Sequence, residues 1–182
     1  MATAKAPTRR IRTFPGFQLR FPMTEVQLWA DKFSQFDDDT AALDAGKKIC
    51  AGEYGLKNLL VIVDWKSKRR AKLLADNSHS EREEALRVAV SASEPRTAFG
   101  VLMGLAGIDT PMASAILTAI NPSHYTIIDW RALDALGRSD WNASLKLYLR
   151  YYFPECARIA AAAGVSLRTV DKALWTWSKV NS

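Results

Sequence analysis

The chain has 182 residues, 48% of them apolar and 24% charged, with 9 Gly and 7 Pro. That balance excludes a mostly disordered or fibrous chain, and the length suits one domain or one domain with a small annex. No run of 18 or more apolar residues occurs, and two cysteines, Cys50 and Cys156, are too few for a disulfide framework or a four-cysteine zinc or iron–sulfur site. A cytoplasmic setting without membrane attachment is expected.

The net charge of +6 is unevenly spread. Residues 1–22 hold Lys5, Arg9, Arg10, Arg12 and Arg20 with no acidic residue, whereas the remaining 160 carry 20 basic and 19 acidic groups. The first stretch is basic but lacks the apolar core of a secretory signal. With Pro7, Pro15, Gly16 and Pro22 it reads as an extended, partly mobile arm over 1–22, either a solubilising tail or a contact for phosphate backbone.

Beyond it, residues 23–182 read as a single helical domain. Thr24 precedes an amphipathic run through Val26, Leu28, Trp29 and Phe33, and Asp37, Asp38 and Asp39 form an acidic turn. A helix is expected over 40–50, with Gly52 past its end. The apolar run 59–63 is ambiguous in period, and helix is favoured because no partner strand is visible. Ser80 with Glu83 reads as a capping box for the next helix. Pro95 opens another, running toward Gly107, and Thr110 with Pro111 reads as N-cap and first helical residue. That helix continues to residue 120 and stops before Asn121 and Pro122. Asp129 is a good N-cap for a helix over 130–136, and three more are expected over about 140–152, 154–163 and 166–179. The fold class is therefore all-α, a compact helical bundle.

The informative region is 105–137. A helix reaches Gly107, turns tightly and restarts, a geometry that aims backbone N–H groups and a helix N-terminus at one point. Leu105, Gly107 and Ile108 form the hairpin, Ala113, Ser114 and Ala115 give the following helix small residues, and Ile127 and Ile128 lead into Asp129. In these features the chain resembles the helix–hairpin–helix DNA glycosylase superfamily, with an endonuclease III-like fold and the motif at about 95–120. The resemblance implies a DNA N-glycosylase acting on duplex DNA with a damaged or modified base, as a monomer, in base-excision repair or in defence against phage DNA. It implies contacts to DNA through Gly107, Ile108, Thr110 and Ala113. No organic cofactor or metal is implied, although the hairpin could take a monovalent cation. Two departures stand out. Asp109 replaces the second hairpin glycine, and Pro111 occupies the position of the lysine in bifunctional members, so a monofunctional enzyme is expected.

Asp129 is the expected catalytic residue on chemical grounds as well. Breaking an N-glycosidic bond builds oxocarbenium character on the sugar, which a fixed carboxylate stabilises. An enzyme that extrudes a base needs apolar walls for it, and Trp65, Tyr125 and Trp130 are the candidates. Lys66, Lys68, Arg69, Arg70 and Lys72 form a basic cluster beside Trp65, suited to phosphate contact. Arg131 could meet a flanking phosphate or pair with Asp134. A competing motif spans 159–175, where Ala160, Gly164 and Val170 fit a helix-turn-helix. It would direct Ser166, Arg168, Thr169 and Lys172 to a DNA groove, as in a transcription regulator or other non-catalytic DNA-binding protein. Trp175 and Trp177, however, make the last helix heavily apolar, which favours a structural helix pair docked on the core.

Overall fold

The structure is a computed structural model that describes residues 16–182. Among these residues the regular structure is helical throughout, as the patterning predicts. Most of the basic arm lies outside the described residues. Its last part, 16–22, is fastened to the body: Gln18 and Arg20 donate backbone N–H bonds of 2.9 Å to the carbonyls of Leu136 and Ala135. Phe21 is buried, and Arg20 pairs with Asp134 at 2.9 Å. The arm expected over 1–22 is therefore corrected at its C-terminal end, where apolar side chains seat it.

One group of helices is organised around α6 (Thr110–Ile120), ten of whose eleven residues are buried. Around it pack α2 (Thr40–Cys50), α3 (Leu56–Ala71) and α5 (Pro95–Met103), while α4 (His79–Ser91) packs on α5. Gly46 lets α2 and α6 touch backbone to backbone, since a Cβ there would lie 2.0 Å from the carbonyl oxygen of Ala119. The remaining helices gather on α10 (Leu167–Asn181), which packs against α1 (Val26–Asp31), α7 (Trp130–Ala135) and α9 (Phe153–Ala163). The run 59–63 is helical, because Leu59, Ile62 and Val63 are buried on one face of α3.

Three boundaries differ from the sequence reading. The capping box of α4 is Ser78 with Glu81, not Ser80 with Glu83. Both pairs have the right spacing, but Asn77 fixes the entry. Its side chain donates to Ala106 O at 3.1 Å and accepts from Ala106 N at 2.7 Å, so the helix begins directly after it. The N-cap of α6 is Asp109 rather than Thr110; the Asp109 carboxylate accepts from Met112 N at 3.1 Å, and Thr110 is buried.

The third difference concerns the helix expected over 140–152. It starts only at α8 (Leu145–Leu147), capped by Ser144, and runs through a π turn, Tyr148–Tyr152, directly into α9. Pro154 does not break it. The wider π turn sits where the proline ring and its missing N–H would disturb α-helical bonding.

Candidate functional site

Asp129 is delivered to its place by a buried extended segment. Ile128 N donates to Ser114 Oγ at 3.1 Å, Tyr152 Oη donates to Ile127 O at 2.6 Å, and Thr126 N donates to Tyr148 Oη at 3.2 Å. Burial pushes both tyrosine hydroxyls far above their ordinary pKa, so they stay neutral and can fill these roles. The small Ser114 in α6 is thus used for its hydroxyl as well as its size. At the end of this segment Asp129 caps α7, one carboxylate oxygen accepting from Ala132 N at 2.9 Å.

The other oxygen of Asp129 meets the ammonium of Lys66. Their side chains are only 14% and 16% exposed, so this pair is largely shielded from water. Burial alone would raise the Asp129 carboxyl. The Lys66 charge and hydrogen bond, the Ala132 N–H and the Arg131 charge outweigh burial and hold it below the ordinary value. α3 is interrupted immediately after Lys66: Ser67 adopts φ −167° and ψ 99°, an extended conformation inside the helix. Lys66, expected among the phosphate contacts, is found paired with Asp129 in a shielded site.

Lys66 and Asp129 line two cavities. The first, of about 170 Å³, is narrow and walled by Phe33, Trp65 and Trp175, with Ile127, Arg168 and Asp171 also contributing. The Phe33 and Trp175 rings meet edge to face with centroids 5.5 Å apart. Trp65 Nε1 is anchored to Asp37 at 3.2 Å. The second, of about 480 Å³, is an open cleft with Arg69, Arg70 and Arg131 on its walls, together with Asp109, Trp130 and Trp141. Lys66, Asp129 and Trp175 are common to both.

Trp65 thus joins Asp129 in the pocket. Tyr125 does not: it is buried against Phe99, with ring centroids 6.3 Å apart, inside the core. Trp130 is also displaced from the expected base pocket. It is 56% exposed, lies on the cleft wall and stacks with Arg131, whose guanidinium is 4.2 Å from its ring centroid. Arg131 does not pair with Asp134, whose partners are Arg20 and Ser182.

The hairpin residues divide in the same way. Ile108, Thr110 and Ala113 are buried, so their side chains cannot reach DNA and only the backbone of the turn could. Gly107 has φ +85°, and a Cβ there would lie 2.8 Å from Leu73 Cβ, so the turn is packed against the chain that follows α3. Asp109 is a helix cap paired with Arg70. Lys68 and Arg69 are exposed, and Arg69 lines the cleft.

The competing motif is half realised. Gly164 turns left-handed (φ +67°) between α9 and α10, as a helix-turn-helix requires. Its two cationic groove residues are committed elsewhere. Arg168 pairs with Asp171 and, at 2.8 Å, with Asp39, and Lys172 reaches Asp39 at 3.0 Å. The Arg168 guanidinium also lies 5.3 Å from the Phe33 ring and 5.5 Å from Trp65. Arg168, Asp171, Phe33 and Trp175 are site residues that the sequence reading did not place there. They come from parts of the chain far from 105–137, and only packing unites them. Burial raises the Asp171 carboxyl and Asp129 adds to the effect, while Arg168 opposes them.

Among the described residues, no group of three or more His, Cys, Asp or Glu side chains is placed to hold a metal ion, and no helix is long and apolar enough to cross a membrane. Compared with known protein families, with curated proteins and with solved structures, the chain finds no match in any of the three.

Proposed function

We propose that this protein is a DNA N-glycosylase that hydrolyses the bond between a modified or damaged base and deoxyribose, with Asp129 as its central catalytic group. The observation that carries this reading is the wall of Lys66, Asp129 and Trp175 shared by the aromatic pocket and the basic cleft. A base-excising enzyme must hold an extruded base on one side of the reacting sugar and the phosphate backbone on the other. At about 170 Å³ the pocket is smaller than the roughly 300–1,000 Å³ of sites for drug-sized ligands, a size suited to one planar base. Arg69, Arg70 and Arg131 give the cleft its cationic wall for phosphates. Trp130, exposed beside Asp129, is suited to fill the gap left in the duplex. A carboxylate held ionised at the junction would stabilise the oxocarbenium character that develops at C1′.

The helix–hairpin–helix resemblance points the same way, with duplex DNA as substrate and repair or phage defence as setting. The test is a panel of DNAs carrying uracil, methylated purines, oxidised guanine or hypermodified cytosine, scored for alkali-revealed strand breaks. Wild type is expected to act on one class and Asp129→Asn on none, with DNA binding retained. Equal activity of the two proteins would remove Asp129 from the chemistry. DNA binding with every substrate left intact would favour a non-catalytic DNA-binding protein.

A further inference from the structure

The body takes hold of the basic arm at the rim of the open cleft, and that separates the two roles its sequence allows. We propose that residues 1–15 are a second DNA-binding element, which follows the phosphate backbone of the duplex beyond the stretch held in the cleft. This role rests on the reading of the cleft as a duplex-binding surface, and not on which base is excised.

The point of attachment is the first observation. A Cβ on Gly16 would lie 3.0 Å from the Trp141 ring and 3.1 Å from the Arg138 guanidinium, so the chain passes directly over these two side chains. Phe17 packs on the same indole with ring centroids 5.3 Å apart, and the backbone bonds of Gln18 and Arg20 hold the strap in place. Trp141 is also a wall of the cleft that carries Arg69, Arg70 and Arg131. Whatever precedes Gly16 therefore starts at the rim of the cationic cleft. Arg138, 4.8 Å from the centroid of the Trp141 ring, continues the positive charge across that rim.

Charge is the second observation. Of the five cations in 1–22, Arg20 is committed to Asp134. The other four, Lys5, Arg9, Arg10 and Arg12, all precede Gly16, and no acidic residue lies among them. A solubilising tail needs neither an anchor at the cleft nor a single sign of charge. Reach is the third. An extended chain spans at most about 3.3–3.6 Å per residue, which carries Arg12 roughly 14 Å and Lys5 roughly 38 Å from Gly16. One turn of duplex is about 34 Å long. The partner that fits is a polyanion long enough to fill the cleft and continue past Trp141, as a duplex does and a single nucleotide does not.

The experiment measures binding of the full chain to an undamaged duplex of about 20 base pairs, two helical turns, across a salt series. Wild type is compared with a variant that combines Lys5→Gln, Arg9→Gln, Arg10→Gln and Arg12→Gln. These positions precede the anchored strap, so the melting temperature should not move. Each phosphate contact contributes about 0.9 to the slope of log affinity against log salt, so the variant's slope should be shallower by up to about 3.6. The difference should shrink on a duplex of about 10 base pairs, which leaves less backbone beyond the cleft. Equal slopes on the longer duplex overturn the role and leave a solubilising tail. Equal slopes joined to arm-dependent binding of phosphatidylserine vesicles assign the arm to a lipid surface and overturn it too. A difference just as large on the short duplex places the arm on the cleft's own phosphates and overturns the side-by-side arrangement. Failure of wild type to bind either duplex removes the duplex reading of the cleft, and this role with it. A shallower slope in a protein that excises no base leaves the arm's role standing while the glycosylase reading falls.

Discussion

Asp109 and Asp129 share a local chemistry and differ in what surrounds it. Each caps a helix, with one carboxylate oxygen accepting the backbone N–H three residues on, at 3.1 Å for Asp109 and 2.9 Å for Asp129. Each turns its other oxygen to a basic side chain of α3, Arg70 in one case and Lys66 in the other. Asp109 is 41% exposed against a guanidinium 39% exposed, whereas Asp129 and Lys66 are shielded. Capping is a property of a few residues of backbone, so both aspartates perform it. The narrow aromatic pocket beside Asp129 is assembled from distant residues, whereas Asp109 lines only the open cleft.

The largest contrast is expected in stability. Asp129→Ala removes a cap and leaves Lys66 charged in a shielded site, which should cost about 3 kcal/mol. Asp109→Ala removes a cap and an exposed ion pair, a loss of about 1 kcal/mol. Urea unfolding of the two variants measures both, and equal losses would erase the distinction drawn from burial. The acid side sharpens it. Because the folded state holds the Asp129 carboxyl below its ordinary value, its stabilisation is present at neutral pH and fades as pH falls through the ordinary carboxylate range toward the lower folded value. The gap in melting temperature between wild type and Asp129→Asn should therefore narrow from about pH 5 to pH 3. A gap that widened in acid would mean that Asp129 is not held ionised.

A smaller effect is expected at the hairpin next to Asp109. Gly107→Ala would place a Cβ against Leu73 at a positive φ, which should cost about 1–2 kcal/mol. The loss should appear in thermal melting, while the proposed base excision at saturating DNA stays intact. If excision failed with the fold retained, the hairpin would have to shape the reacting site directly.

The sequence marked one of these aspartates as a candidate site and hid the pocket beside it. Helices with local signals were visible end for end, such as α2 over Thr40–Cys50, and so was the cap at Asp129. Where two local signals competed, as with Ser78 and Ser80 before α4, the choice fell to Asn77 and its bonds to Ala106, 29 residues away. Residue type alone placed Lys66 with the phosphate-binding cations, because nothing local announces the break at Ser67. Arg168 and Lys172 fitted a DNA-reading helix equally well until Asp39, 129 and 133 residues distant, claimed both. Tyr125 and Trp130, both near Asp129 in sequence, lie one in the core and one on the cleft wall. Elements follow from short-range pattern; pocket membership depends on which apolar faces meet.

The smallest expected effect isolates the charge of Asp109 from its role as a cap. Asp109→Asn keeps an oxygen for Met112 N and removes a negative charge from the cleft wall, freeing Arg70. An exposed ion pair contributes about 0–1 kcal/mol, so melting should barely change. DNA binding should change more. With Arg70 released, the protein gains up to one phosphate contact, and the slope of log affinity against log salt should steepen by about 0.9. The same substitution at Asp129 also frees a cation, Lys66, but that cation is shielded from solvent, so its slope should stay near wild type. If both variants steepened equally, Lys66 would be a phosphate contact after all, and the shielding that separates the two aspartates would have no counterpart in DNA binding.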